Sequence, residues 1–336
     1  MILVDFNHLA IRNLYSSISQ AKLKKVDGFY KTEEWSPFFR HFIFNSLKFL
    51  QKKFVQHKII ICVDSKKNWR KEIYPGYKSH RKKIRDKSAI NFNDYFEIFE
   101  EIIEELKKDF PYKVIQVPYA EADDIIAVLA KKLEKTIIIS SDKDFKQLLR
   151  FAKIYDPIKN KFIKASLKEI KEFMIEHILL GDVADNIPNI KQGSEFSDNF
   201  KRFLRNNDIF IDDVKTFENL SISKKLYDEF DIYKKNKKGE KLEKDIFKTV
   251  RFGPKGAKKF AEDLKNNLKQ NPIYLKNFER NKKLIIFDFI PQKIQDEILN
   301  QFNTEKFNKV NIEGIIKYFS KNNLSQLILD ASDFLI

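Results

Sequence analysis

Residues 119–145 read YAEADDIIAVLAKKLEKTIIISSDKDF, and both ends of that stretch carry acids. Glu121, Asp123 and Asp124 precede a helical apolar pattern of Ile125, Ile126, Val128 and Leu129, while Asp142 and Asp144 follow the β-branched run Ile137 to Ile139. The spacing predicts a helix whose acidic first turn suits the macrodipole. A short strand and a turn through Ser140-Ser141-Asp142-Lys143-Asp144 should follow. Such a unit belongs in an α/β sheet, where ligands gather beyond the carboxyl ends of the strands. Carboxylates crowded at that edge repel one another unless a polyvalent cation sits among them.

The same signal recurs outward from this stretch. Ile2-Leu3-Val4 runs into Asp5, and a strand from Lys58 to Val63 runs into Asp64. Between them a helix is expected to start near Ser36 as N-cap, with Pro37 in its first turn and Phe42, Ile43, Leu47, Leu50 and Phe54 at helical spacing. A helix near Asn93–Leu106 and a strand Tyr112–Val117 lead into the opening stretch. Parallel strands joined by right-handed crossovers would bring Asp5, Asp64 and Asp142 to one edge. A lone Asp after a strand is ordinarily a turn or cap residue, but three such positions beside the acidic clusters favour a site. Further on, a helical pattern ends at Gly181 and Gly181-Asp182-Val183-Ala184-Asp185-Asn186-Ile187-Pro188 follows. One turn of helix would put Asp182 and Asp185 on a common face; an ordinary cap and turn is the alternative.

At 336 residues the chain is expected to divide into two domains. Its formal net charge of +16 points to polyanions, nucleic acid first. The single Cys62 excludes an internal disulfide and sits in an apolar run, as a buried hydrophobe in a reducing compartment would. His8, His41, His57, His80 and His177 are scattered, so no Cys/His cluster suits zinc; carboxylate oxygens suit Mg²⁺ or Mn²⁺. No apolar run approaches the roughly 18 residues that span a bilayer, and no signal-peptide pattern is seen, so a cytoplasmic protein without a membrane partner is expected.

Two further stretches carry cations in patterned surroundings. Trp69 to Arg85, WRKEIYPGYKSHRKKIR, mixes aromatic rings with Arg70, Lys78, Arg81, Lys82 and Lys83, a mixture that suits unpaired nucleic acid; a solvated basic loop is the alternative. Phe252-Gly253-Pro254-Lys255-Gly256-Ala257-Lys258-Lys259-Phe260 opens a helix with an apolar face of Ala257, Phe260, Ala261 and Leu264. Lys255, Lys258 and Lys259 then lie near a phosphate-binding N-terminus. Between Gly193 and Lys248 a charged segment with apolar patches reads as a folded insert.

In order, LVDFN, ICVDS, WRKEIYPGYKSHR, YAEADD, SSDKDF and GDVADNIP resemble the 5′ nucleases: flap endonucleases, the 5′-nuclease domains of bacterial DNA polymerases and phage replication 5′→3′ exonucleases. The likeness is closest to the T-even phage ribonuclease H branch and continues through LIIFDFIPQKI and IIKYFSKNNLSQL. It implies a mainly parallel sheet flanked by helices, a PIN-like nuclease domain over 1–188. A smaller helical DNA-binding domain over 189–336 would follow, with its hairpin-like motif near 252–268 and the insert near 193–248.

The resemblance also implies two Mg²⁺ ions, replaceable by Mn²⁺. The first would be held by Asp5, Asp64, Glu121 and Asp123, with Asp142 at the junction; Asp144, Asp182 and Asp185, with Asp124 beside them, would support the second. Arg70, Lys78 and Arg81 would hold the scissile phosphate and Tyr77 would stack on a base, with Lys82 and Lys83 nearby in a short gateway. Gly253, Lys255, Gly256, Lys258 and Lys259 would grip duplex; their displacement from the usual place leaves a monovalent cation there open.

The implied activity is a metal-dependent 5′→3′ exonuclease and flap endonuclease with ribonuclease H activity. It would act on DNA with a 5′ flap, nick or single-stranded 5′ end and on RNA–DNA hybrids, removing primers during phage-type replication. The chain would be a monomer in contact with single-stranded-DNA-binding protein, in the bacterial host cytoplasm if phage-encoded. A haloacid-dehalogenase phosphatase needs Asp-x-Asp at the first strand, where Asp5-Phe6-Asn7 stands. A non-catalytic structure-specific DNA-binding protein could shed the carboxylates that are retained here.

Overall fold

A computed structural model describes residues 1–192, 201, 203–204 and 250–335, and the insert expected near 193–248 lies outside the described residues except at 201 and 203–204. The chain divides into two compact units. The first comprises Met1–Glu72, Ser79–Ile170 and Phe287–Ile336, and the second comprises Ile73–Lys78 and Lys171–Ile286. This grouping differs from the division expected at 188: the segment from Phe287 onward packs with the first unit.

The first unit is built on a sheet of β1 (Ile2–Asp5), β2 (Ile59–Cys62), β3 (Lys113–Ile115), β4 (Ile137–Ile139), β5 (Lys153–Asp156) and β6 (Lys161–Ile163), in the order β3-β2-β1-β4-β5-β6. All pairs are parallel except β5 with β6. The strands β1, β2 and β4 are buried on both faces, as parallel strands covered by helices must be. Alternate side chains go to opposite cores. Ile2, Val4, Ile59, Ile61, Ile137 and Ile139 pack on one face; Leu3, Ile60, Cys62 and Ile138 pack on the other.

On the first face lie α1 (Phe6–Gln20) and α2 (Thr32–Lys53). The sequence pattern did not announce α1. The helix expected from Ser36 begins at Thr32, so Pro37 is internal; Glu33 and Glu34 suit the earlier first turn and Trp35 is fully buried there. Short α3 (Arg70–Ile73) and α4 (His80–Asp86) come before α5 (Phe92–Asp109), which covers the same face, while α6 (Ala122–Lys132) covers the other.

The second unit holds most of α7 (Leu167–Leu180), with α8 (Pro254–Glu262), α9 (Leu264–Lys269) and α10 (Pro272–Ile285). Two buried asparagines of α10 satisfy carbonyls at the end of α7 and in the loop that follows it. Asn277 donates to Ile190 O at 2.9 Å and Gln192 O at 2.8 Å, and Asn281 donates to Ile178 O and Pro188 O, both at 2.9 Å.

The C-terminal segment returns to the first unit as α11 (Gln292–Thr304) and α12 (Ile312–Lys321). Ile294 and Ile298 join the face under α6, while Ile315, Phe319 and Phe334 join the face under α2 and α5. Each fully buried aliphatic or aromatic chain is worth about 1.5–3 kcal/mol, so this segment is part of the first unit's core. No helix among the described residues is long and apolar enough to cross a membrane.

Candidate metal centre and nucleic-acid interface

From β1 the chain runs outward to β2 and β3 and then returns to β4 on the other side of β1. That reversal makes the carboxyl ends of β1 and β4 the switch point where open α/β sheets bind ligands. Asp5 ends β1, 6% exposed and opposite Cys62 in register. One of its oxygens caps α1 by accepting from His8 N at 3.0 Å; the other lies 3.4 Å from Ser140 Oγ beyond β4. Asp142 N donates to that same Ser140 Oγ at 3.1 Å, and Asp142 Oδ1 accepts from Asp144 N at 2.9 Å, capping the 3-10 turn Lys143–Leu148. Asp64 N donates to Asn7 Oδ1 at 2.8 Å, while Asp64 Oδ1 accepts from Ala122 N at 2.7 Å at the start of α6. Asp5 and Asp142 thus each cap the element that follows their strand at the sheet edge.

Charge gathers at this edge. Burial pushes the Cys62 thiol well up, and the negative charges of Asp5 and Asp123 push it the same way. For His8, burial lowers the pKa; Asp142 opposes this, Arg12 adds to it, and Asp156 opposes it again. The folded state therefore favours the neutral ring. Stability linked to His8 is whole above about 6.5 and is lost as pH falls from there through the depressed value. An NMR titration of the metal-free protein should place the His8 midpoint below that of a histidine peptide, and an equal or higher midpoint would refute this.

Arg70 and Asp124 take different places from those expected. Arg70 is 3% exposed and Asp124 fully buried. The guanidinium donates from Nη2 to Asp124 Oδ1 at 2.7 Å, and from Nη1 to Asp124 Oδ2 and Glu121 Oε2, both at 3.0 Å. Trp69 Nε1 and Glu121 N also donate to Asp124 Oδ2, each at 3.0 Å. Asp124 spends its oxygens on this buried clamp, which anchors the start of α6. Arg70 orients Glu121 instead of standing exposed to a phosphate. Glu121, 5% exposed, is the N-cap of α6 and closes a capping box with Asp124.

In the second unit Asp182 and Asp185 do not share a helical face. They lie in a tight turn closed by a bridge between Asp182 and Ile187. Asp182 is 3.2 Å from His177 Nε2 and accepts from Ala184 N at 2.7 Å. Asp185 accepts from Tyr77 Oη at 2.9 Å and lies 3.6 Å from Lys78 Nζ. Tyr77, expected to stack on a base, is 3% exposed, with its ring packed inside. The alternative of a turn is the one realised, and it serves to hold Tyr77 and Lys78.

Gly181 makes that turn possible. Its φ is +70°, and a Cβ there would stand 2.2 Å from Ile187 O and 2.6 Å from Pro188 O. Gly181→Ala should cost roughly 2 kcal/mol or more, since strain and overlap add. A native melting temperature in that variant would contradict it.

Among the remaining expected residues, Arg81 is half-buried on α4 while Lys82 and Lys83 are exposed. Gly253, Lys255, Gly256, Lys258 and Lys259 are exposed at and along α8, with Ala257 buried. Beyond the insert the chain returns beside the DNIP motif: Asn189 Nδ2 donates to Val250 O at 3.0 Å. Lys191 Nζ then lies 4.6 Å from the Phe252 ring centre, 5.8 Å from Phe260 and 5.7 Å from Tyr274.

Sequence reasoning missed Asn7, Trp69, Ser140 and Asp156. Only Asp156 carried the signal used elsewhere, an acid ending a strand; it is 2% exposed and accepts from Ser141 Oγ at 3.0 Å.

Residues 1–174 match the model of the 5′-3′ exonuclease N-terminal, resolvase-like domain, and residues 257–334 match the C-terminal domain of T4 RNase H. The ribonuclease H of Enterobacteria phage T4 is 30% identical over 88% of this chain and 86% of its own length. A 5′-3′ exonuclease of Buchnera aphidicola (subsp. Schizaphis graminum) is 35% identical over 42% of this chain, and the match spans half of that protein. A crystal structure of the bacteriophage T5 flap endonuclease, in complex with DNA and metal ions, has the same fold. Its TM-score is 0.50 at 16% identity, covering 90% of this chain and 97% of that one. With a family model matched over its first half and a relative matched along most of its length, the chain belongs to the 5′-3′ exonuclease family, on the branch of the phage T4 ribonuclease H.

Proposed function

We propose that this chain is a divalent-metal-dependent 5′→3′ exonuclease and flap endonuclease that also cuts RNA in RNA–DNA hybrids, as primer removal in phage replication requires. The observation that carries the proposal is the lacing of Asp5, Asp64, Glu121 and Asp142 to one sheet edge through Ser140, Ala122 N and Arg70.

The donor set fits Mg²⁺ or Mn²⁺. It is all carboxylate, and Asp5 and Glu121 are held almost out of water. Asp5, Asp64, Glu121, Asp123 and Asp142 would hold the ions, with Asp144 beside them. Divalent ions supply a lowered pKa for an attacking water and neutralisation of phosphoryl charge. The protein's part is positioning. Arg70 and the capping box fix Glu121, Ser140 spaces Asp5 from Asp142, and Asn7 with Ala122 N fixes Asp64. Arg81, on the same unit, supplies a cation for the reacting phosphate, and no side-chain nucleophile is required.

The second unit supplies duplex affinity through α8. Lys255, Lys258 and Lys259 stand exposed along a helix that opens at Gly253. The triple change to Ala should weaken duplex binding and lower the salt slope by about 0.9 for each phosphate that is no longer neutralised. Single-turnover cleavage at saturating enzyme should hold. A rate defect without an affinity defect would remove these lysines from the duplex grip.

One assay tests the whole reading: 5′-labelled flap, nicked duplex and RNA–DNA hybrid, with and without Mg²⁺. Short 5′ products in Mg²⁺ alone are expected. Binding of all three without cleavage would favour a structure-specific DNA-binding protein.

A further inference from the structure

We propose that Lys191 is a positioning residue for duplex binding: its ammonium, caged by the rings of Phe252, Phe260 and Tyr274, fixes the direction in which α8 presents Lys255, Lys258 and Lys259. The proposal deepens the duplex-grip reading of α8 and rests on it.

Packing alone holds α8 weakly. Of its nine residues only Ala257 is buried, while Pro254, Lys255, Gly256, Lys258, Lys259 and Glu262 are exposed. A helix this short is marginal by itself in water and depends on side-chain ties. Those ties begin at Phe252, the residue before the N-cap Gly253. Its ring lies against the first turn where Gly256 leaves room, since a Cβ at 256 would stand 3.3 Å from two carbons of that ring. Phe260 meets Phe252 edge to face with ring centres 5.9 Å apart, and Tyr274, in the first turn of α10, meets Phe260 in the same way at 6.1 Å.

Lys191 reaches this cluster from a fixed base. Its N donates to Asn189 Oδ1 at 2.9 Å, and Gln192 Oε1 accepts from Val250 N at 3.4 Å. Ile190 is fully buried and its N donates to Leu179 O at 3.0 Å. The ammonium therefore ties three segments together: the loop after Pro188, the start of α8 and the start of α10. An ammonium is attracted to the faces of aromatic rings, more strongly where water is excluded. Lys191 is half-buried against three of them, whereas the lysines of α8 stand exposed. The exposed lysines meet phosphate, and Lys191 sets the helix that carries them.

Without the cage α8 samples other directions and duplex binds only the aligned fraction. Apparent affinity falls by that fraction, while the phosphate contacts made in the complex, and hence the salt slope, stay the same. A lysine that met phosphate itself would change the slope.

The test compares dissociation constants for blunt duplex in EDTA over a range of salt. Lys191→Met, which keeps the length and loses the charge, should bind roughly tenfold more weakly, as loss of a desolvated ammonium–ring contact predicts, with the slope unchanged. Single-turnover cleavage in Mg²⁺ at saturating enzyme should stay within about twofold. Lys191→Arg should restore affinity, because a guanidinium also stacks on rings. Tyr274→Leu keeps apolar packing and should weaken binding in the same way, and adding Lys191→Met to it should weaken binding little further. In the free protein, amide hydrogen exchange over 252–262 should rise in Lys191→Met.

A slope lowered by about 0.9 would overturn the proposal, because Lys191 would then be a phosphate contact itself. So would additive losses from Lys191→Met and Tyr274→Leu, failure of Lys191→Arg to restore affinity, or unchanged exchange over 252–262. A lower melting temperature with native duplex affinity would reduce the cage to a stabilising contact and overturn its role in binding. Native duplex affinity in the triple variant of Lys255, Lys258 and Lys259 would instead overturn the grip reading; the exchange result, which needs no DNA, is judged apart from it.

Discussion

Asp142→Asn is expected to lower Mg²⁺-dependent cleavage by on the order of a thousandfold or more, since loss of an ion ligand removes several kcal/mol of phosphoryl-charge stabilisation. The fold should survive, because Asn caps as well as Asp and its Oδ1 can still accept from Asp144 N. DNA affinity should be equal or higher, as one negative charge facing phosphate is gone. Three readouts separate the outcomes: single-turnover rate, binding of a flap substrate, and calorimetric titration of Mn²⁺ into the free protein. Weaker Mn²⁺ binding with an unchanged melting temperature is expected. Near-normal turnover in Mg²⁺ would remove Asp142 from the metal centre.

Arg70→Met should be the most destabilising single change at the site, by about 3–5 kcal/mol, because it leaves a buried carboxylate without its counter-charge. Asp124 is fully buried and Glu121 nearly so, and both depend on the same guanidinium. Arg70→Lys should recover only part of the loss, since an ammonium cannot reproduce the planar fork that spans Asp124 and Glu121. Adding Asp124→Leu to Arg70→Met should restore much of the stability but little of the activity, because Glu121 then loses its orientation. Urea unfolding of the double-mutant cycle measures the coupling. Independent, additive effects of Arg70 and Asp124 would mean that the clamp does not operate.

Sheet and acids were legible along the chain because they obey local rules. Ile2 to Val4, Ile59 to Ile61 and Ile137 to Ile139 are short apolar runs rich in β-branched residues, and each is followed within three residues by Asp5, Asp64 or Asp142. Parallel pairing with one hand of crossover then leaves a single edge for those carboxylates. The acidic start and apolar pattern of α6 were readable for the same reason, as was the basic helix opening at Gly253.

What local pattern could not decide was where each side chain spends its hydrogen bonds. Asp123 and Asp124 are neighbours of identical chemistry, yet Asp124 turns inward to Arg70 and Trp69, which lie more than fifty residues earlier in the chain. Tyr77 sits in a basic, aromatic stretch that reads as surface, and its hydroxyl is buried against Asp185, 108 residues later. The C-terminal segment reads from sequence as part of the helical domain over 189–336, but Ile298 and Phe319 complete the cores on opposite faces of the sheet. Periodicity along a chain reports which face of an element is apolar; the partner for that face, and the partner for a buried charge, come from residues distant in sequence and exist only once the fold has closed.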